Sequence, residues 1–380
     1  MRNIPALGVC ALLCAIFGPV SWNRPVVAGE DTRQPVLLKD WKPKSSLVVP
    51  VTQVEKAKYP VIDFHAHSYF TASQRETVDA WLRTMDAAGI ETAIVYTDAI
   101  GPEFDRQAEL FLSYGKRFQV YCTFDNTNPD APDYSARAVR ELERCYRKGA
   151  RGVGEISDKG FGLEGGMAAY LAAIKTGGKR VAPPNSRRMH LDDRRLDGFW
   201  EKCAELNLPV SLHVADHPSC WEPLGPTQER GPTHDALNLY GQDVPSFQEL
   251  QAMRDHVLER HPRTKFVAVH LSNQANDLAA VAQALERYPN LYVDISARTY
   301  DLGRQPRNAA RFLTRYKDRV LFGTDDKLTP GMYPGWWRFL ETADEWIPGS
   351  TGWRIYALAL PDDVLEAIYR GTAKRLLNWR

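Results

Sequence analysis

"VIDFHAHSYF", residues 61–70, is the stretch whose reading decides the fold. Val61, Ile62 and Phe64 give it the apolar character of a buried β-strand, yet it ends on His65 and His67 with one residue between them. Side chains at i and i+2 of a strand leave by the same face, so the two imidazoles point one way and Ala66 the other. Strict alternation then predicts that Ile62, Phe64 and Ala66 face a layer of helices. Asp63, His65 and His67 share the opposite face and climb toward an open mouth, with Asp63 deepest and in a supporting role.

Working outward, the same kind of short apolar run recurs down the chain. After residues 60–67 come "TAIVYTD" (92–98), "FQVYCTFD" (118–125) and "RGVGEIS" (151–157). "PVSLHVAD" (209–216), "FVAVHLS" (266–272), "LYVDISA" (291–297) and "VLFGTDD" (320–326) follow. Between them lie segments with helical spacing, such as "RETVDAWLRTMDAAGI", where Val78, Trp81, Leu82 and Met85 share a face and Gly89 stops the run. Buried-type strands alternating with helices pair in parallel through right-handed crossovers. Eight such units predict an α/β chain folded as a (β/α)8 TIM barrel over residues 59–380, with an extended Pro-, Lys- and Val-rich arm over 29–58.

Residues 1–28 read differently. Arg2 precedes an uncharged run from Ala6 to Phe17, too short to span a bilayer, and "VVA" at 26–28 offers a cleavage site. This is the pattern of an export signal, which predicts a periplasmic or secreted protein with no stable membrane association after cleavage. Cleavage removes Cys10 and Cys14 and leaves Cys122, Cys145, Cys203 and Cys220, whose spacing is neither paired nor of metal-binding CxxC type. Buried free thiols are expected. With 48 Lys+Arg against 47 Asp+Glu and no basic run interleaved with aromatics, a nucleic-acid partner is excluded. A homo-oligomer is not.

The polar residues are placed where a barrel of this type builds its site. His65 and His67 end the first run, Glu155 the fourth, His213 the fifth, His270 the sixth and Asp325 the eighth, and the C-terminal rim is where active sites form. Taken singly, each has a bland reading: a core histidine, an N-cap, a partner for a buried arginine. Together, imidazoles and carboxylates converging on one mouth make a nitrogen-and-oxygen site suited to Zn²⁺ or a similar divalent ion.

The ordered set "DFHAH", "SLHVAD", "AVHLS" and "FGTDD", with the tail "IYRGTAKRLLN", resembles the amidohydrolase superfamily, specifically its amidohydrolase-related branch of metal-dependent hydrolases and decarboxylases. The resemblance implies His65, His67 and His213 as metal ligands with Asp325 completing the site, and His270 and Asp325 as catalytic residues. Many two-metal members carry a carboxylated lysine where this chain has Glu155. A glutamate there is similar to TatD-like nucleases and lactonase-type members, in which it can bridge two ions. One ion, Zn²⁺, is therefore expected, with Glu155 a second-metal ligand or a substrate contact.

The implied reaction is attack of a metal-activated water on the carbonyl of a lactone, ester or amide, Asp325 taking and returning the proton and His270 donating to the oxyanion. The substrate is a small molecule, anionic or sugar-like. Non-oxidative decarboxylation of an aryl or unsaturated acid is the alternative, and a non-catalytic metal-site binding protein a distant third. Selectivity is expected in the long loops. Lys159, Lys179 and Arg180 follow the fourth run, His217, Trp221 and His234 the fifth, and Tyr333, Trp336 and Trp337 the eighth. Arg298, just past the seventh, is placed to clamp a carboxylate or meet a second metal.

Overall fold

Eight short parallel strands close into a ring. They are β1 Val61–His67, β2 Ile90–Tyr96, β3 Phe118–Tyr121, β4 Val153–Asp158, β5 Val210–Val214, β6 Phe266–Ala268, β7 Leu291–Asp294 and β8 Val320–Leu321. In this computed structural model, residues 36–163, 188–229, 237–349 and 353–379 are described. Residues 1–28, expected to be an export signal, and the loop residues Lys179, Arg180 and His234 lie outside that set. β1 to β3 pair in sequence order, as do β4 to β8. A bridge from Cys122 to Val153 joins the two groups. The ring closes where Phe64 N donates to Phe322 O at 2.9 Å and Asp325 N to His65 O at 2.9 Å.

The helices form where the apolar period and the stop signals agree. Arg75–Ala88 buries Val78, Trp81, Met85 and Ala88 and ends at Gly89, whose φ of 89° is the left-handed stop that glycine adopts without strain. Phe247–Arg260 starts at Ser246, with a reciprocal capping box to Glu249. The helices pack outside the ring in the larger apolar cluster, to which β1 to β3 contribute Val61, Ala66, Ala93, Val95 and Val120. A second cluster fills the ring: Ile62, Phe64, Ile94, Tyr96, Tyr121, Val267, Val269 and Leu321, floored by Ala373 and Leu376 of the closing helical segment.

The simple alternation expected for β1 does not hold. Ile62 and Phe64 face the barrel interior, and Asp63 faces the helix layer, the reverse of the expectation. The pairing of β1 with β2 slips between Asp63 and Ala66, so Phe64 and His65 both turn inward before Ala66 turns out and His67 in. A slip of one residue exchanges the faces of a strand. It lets an apolar lower half and an imidazole upper half share one interior.

Other elements also end differently from the sequence reading. β6 stops at Ala268, and His270 to Asn273 run on with φ between 54° and 58°. Tyr333, Trp336 and Trp337 are not loop residues. They are buried in the helix Met332–Glu341, against Phe322 and Tyr369. Residues up to Val48 and those from Val49 on form two units. In the second, Thr52 donates from N and Oγ1 to Asp344 at 2.7 Å each, and Ala57 N donates to Ala88 O at 3.0 Å. Cys122, Cys145, Cys203 and Cys220 are free and buried. Among the described residues no helix is long and apolar enough to cross a membrane.

Candidate metal centre

Six side chains from five strand ends meet at the mouth of the ring. The Nε2 atoms of His65 and His67 are 3.3 Å apart. Glu155 stands between them and the β5–β6 side. Its Oε1 is 2.7 Å from His213 Nδ1, 3.4 Å from His270 Nε2 and 3.7 Å from His65 Nε2, and its Oε2 is 3.8 Å from His67 Nε2. Asp325 closes the other side, with Oδ1 3.5 Å from His67 Nε2 and Oδ2 3.5 Å from His270 Nε2. Three overlapping groups have donor atoms mutually within 4.8 Å: His65, His67 and Glu155; Glu155, His213 and His270; His65, His270 and Asp325.

Three of the four imidazoles are held from behind by hydrogen bonds. His65 Nδ1 meets Asp294 Oδ2 at 2.9 Å, and His67 Nδ1 meets Asp98 Oδ2 at 2.9 Å. His270 Nδ1 donates to Ser296 O at 2.9 Å. His213 turns its Nδ1 to the centre and its Nε2 toward Asp216, at 3.5 Å. Such partners fix tautomer and ring orientation, so that His65, His67 and His270 aim an Nε2 lone pair inward. None of these four backing residues was singled out from sequence. The signal was present in part, because Asp98 ends "VYTD" and Asp294 lies in "YVDIS", both at strand ends.

His270 owes its place to a strained turn. Four consecutive non-glycine residues, His270 to Asn273, sit in the left-handed region, at a cost of about 1–2 kcal/mol each. The surroundings over-determine the turn. His270 N donates to Asp294 Oδ1 at 2.7 Å, and Asn273 Nδ2 donates to Val214 O and Ala215 O at 3.1 Å each. Arg298 donates to Asn273 Oδ1 and to Ala297 O, so it braces the turn from outside the ligand ring.

The electrostatics favour a cation at the centre. Burial disfavours a charged His65, but Asp294, Asp325 and Glu155 outweigh it and raise its pKa to about 10. Burial likewise opposes ionised Glu155, and His213 above all holds it well below the usual carboxylate range. His270 is kept neutral by burial and by Arg298, at about 4. Imidazole and carboxylate donors in a field that attracts positive charge fit a divalent ion, Glu155 being shared by two of the three groups. A fourth group, His217, Glu229 and Asp301, does not fit one. Arg304 is paired there with both Glu229 and Asp301, and His217 Nδ1 accepts from Ser219 N at 3.2 Å, which leaves the ring proton on the Nε2 that faces the two acids.

A family model described as "Amidohydrolase" matches residues 62–379. Comparison with curated protein sequences gives no match. Among solved structures, a TIM-barrel protein from Bordetella bronchiseptica is similar at 19% identity, covering 84% of this chain and 99% of its own, with a TM-score of 0.51. A Staphylococcus aureus protein assigned as an amidohydrolase is similar at 15% identity, covering 85% and 99%, with a TM-score of 0.51. A 2,6-dihydroxybenzoate decarboxylase from Rhizobium stands at 18% identity, 84% and 99% coverage and a TM-score of 0.47. At these identities the first two bear on the fold alone.

Proposed function

This chain belongs to the amidohydrolase family, and from that premise we propose that it is a metal-dependent hydrolase acting on the lactone, ester or amide carbonyl of a small molecule. The observation that carries the reading is the exposure of Asp325. Its side chain is 22% exposed, whereas those of His65, His67, Glu155 and His270 are at most 4% and that of His213 is 7%. Asp325 is thus the acid of the centre that a water and a substrate can reach.

The resemblance would have a divalent ion held by His65, His67, His213 and Asp325, whereas His213 shares its group of donor atoms with Glu155 and His270 and not with the other three. An ion at this mouth, with Zn²⁺ favoured by the nitrogen-rich donors, would acidify a water and polarise a carbonyl. The protein's own part is proton handling. Asp325 takes a proton from water at the mouth and returns it to the leaving group. His270, with its Nδ1 proton on Ser296 O, presents a lone pair to the centre. That geometry suits it to hold a cation or accept a proton and does not suit the oxyanion-donor role expected from sequence. Glu155, touching imidazoles from three strands' ends, sets the spacing between the β1 and β5–β6 halves. We further propose that residues 1–28 direct export.

The test pairs metal analysis with a substrate panel. Metal-supplemented protein should hold at least one divalent ion. Asp325→Asn should lower kcat on an active lactone, ester or amide by about 10²–10⁴-fold. Release of CO₂ from aryl carboxylates with no acid released from any lactone, ester or amide would reassign the site to decarboxylation. Absence of bound metal would remove the mechanism.

A further inference from the structure

Asp63 leaves β1 on the face opposite to His65 and His67 and is fully buried. Four donors converge on its carboxylate: Thr324 N at 3.1 Å, Thr324 Oγ1 at 2.8 Å, Tyr333 OH at 3.0 Å and His65 N at 3.2 Å. Tyr333 OH in turn accepts from Trp81 Nε1 at 3.2 Å. Trp81 belongs to the helix that follows β1, and Tyr333 to the helix that follows β8. One acid therefore ties together both strands and both of their helices.

The atoms it grips matter more than their number. His65 and Thr324 are, respectively, a residue of the centre and the neighbour of one, since Asp325 follows Thr324 directly. Asp63 binds both backbones, next to the Asp325 N to His65 O bond at 2.9 Å. A carboxylate buried in an apolar layer is costly, and an apolar side chain of the same size would fill the volume at lower cost. What only an acceptor supplies is direction: it fixes how far Thr324 N stands from His65 N. We propose that Asp63, backed by Tyr333 and Trp81, is a positioning residue for the metal centre, setting the distance between the β1 imidazoles and Asp325.

This inference rests on the metal-centre reading given above, and its test separates the two. The full-length protein and its Asp63→Asn, Tyr333→Phe and Leu142→Ala variants are titrated with Zn²⁺ and assayed for turnover. Leu142 is buried in the helix Tyr134–Arg147, away from the centre, so Leu142→Ala reports the effect of lost stability alone. Asp63→Asn should weaken Zn²⁺ binding about 10- to 100-fold, as loss of a supporting partner does, and lower kcat at least tenfold with KM within threefold. Tyr333→Phe should show a smaller shift of the same kind, and Leu142→Ala neither. The His65 and His67 ring-nitrogen NMR signals of metal-free protein should move in Asp63→Asn and stay in place in Leu142→Ala. Unchanged Zn²⁺ affinity and ring signals in Asp63→Asn would overturn the inference, as would equal losses in Leu142→Ala. A wild type that binds no Zn²⁺ refutes the metal centre itself, and the ring signals still decide whether Asp63 positions the imidazoles.

Discussion

Gly323→Ala should cripple the centre without unfolding the barrel. Gly323 lies where the chain leaving β8 passes β1, and a Cβ built on it would stand 2.7 Å from His65 Cβ, 3.2 Å from His65 N and 3.5 Å from His65 Cα. Its φ is not in the left-handed region, so the penalty is one of space rather than of backbone conformation. Ordinary carbon–carbon contact is about 3.5–4.0 Å, which leaves roughly an ångström to be made up. No side-chain rotation relieves it, because the obstructing atoms are the Cβ and backbone of β1. If the two segments share the displacement, His65 moves by about half an ångström, at the limit of about 0.5 Å within which a working site must be held. Misplacement near 1 Å costs about 10²-fold. We expect kcat/KM to fall about 10- to 100-fold and Zn²⁺ affinity to fall at least tenfold, with an overpacking cost of about 1–3 kcal/mol in urea unfolding. Gly331→Ala, whose added Cβ meets nothing within 4 Å, should leave all three unchanged. A Gly323→Ala protein within twofold of wild type in both turnover and metal affinity would refute the reasoning.

Two further outcomes follow from groups outside the centre. Burial opposes ionisation of Asp344, but bonds from Thr52 and Arg338 outweigh it and hold its carboxyl below the ordinary value. A carboxyl depressed in the folded state adds stability above its unfolded pKa, about 3.9, and loses it as pH falls through the folded value. Asp344→Asn should therefore cost about 1–3 kcal/mol at pH 7, and the difference from wild type should shrink toward pH 3; an equal cost at both pH values contradicts the ion-pair account. The four buried thiols, Cys122, Cys145, Cys203 and Cys220, should resist a thiol reagent in the native protein freed of residues 1–28. All four should react in denaturant, and fewer would mean a disulfide.

The fold was legible because its signal is repetitive: apolar runs, helical spacing and glycine or proline stops recur in one order from residue 60 on. The residues at the centre were legible for a related reason, since strand ends of a barrel share one rim and imidazoles and acids gathered there read together as a site, though none does alone. The second tier was harder to read. Asp98, Asp216, Asp294 and Ser296 act on ring nitrogens contributed by other segments or a few residues away, and nothing in a linear pattern says which acid will back which imidazole. The direction of Asp63 was misread because the rule applied to it, strict alternation, fails where the pairing of β1 slips. Trp336 and Trp337 were misread because a helix starting soon after β8 turns aromatics expected in a lid into its buried face. The left-handed run at His270 leaves no mark on composition, since its energy is carried by bonds from Asp294, Asn273 and Arg298.

The floor of the barrel sets the order of events during biosynthesis. Ala373 and Leu376 pack beneath Ile62 and Phe64, so the first strand of the ring is sealed by almost the last helical turn. Synthesis runs from the N-terminus, and β1, although it can pair with β2 early, gains its contacts to β8 and to that turn only when both have emerged. The six groups of the centre come together only then. An ion bound by groups from both β1 and β8 can therefore be held in its final geometry only after both ends of the ring have been made.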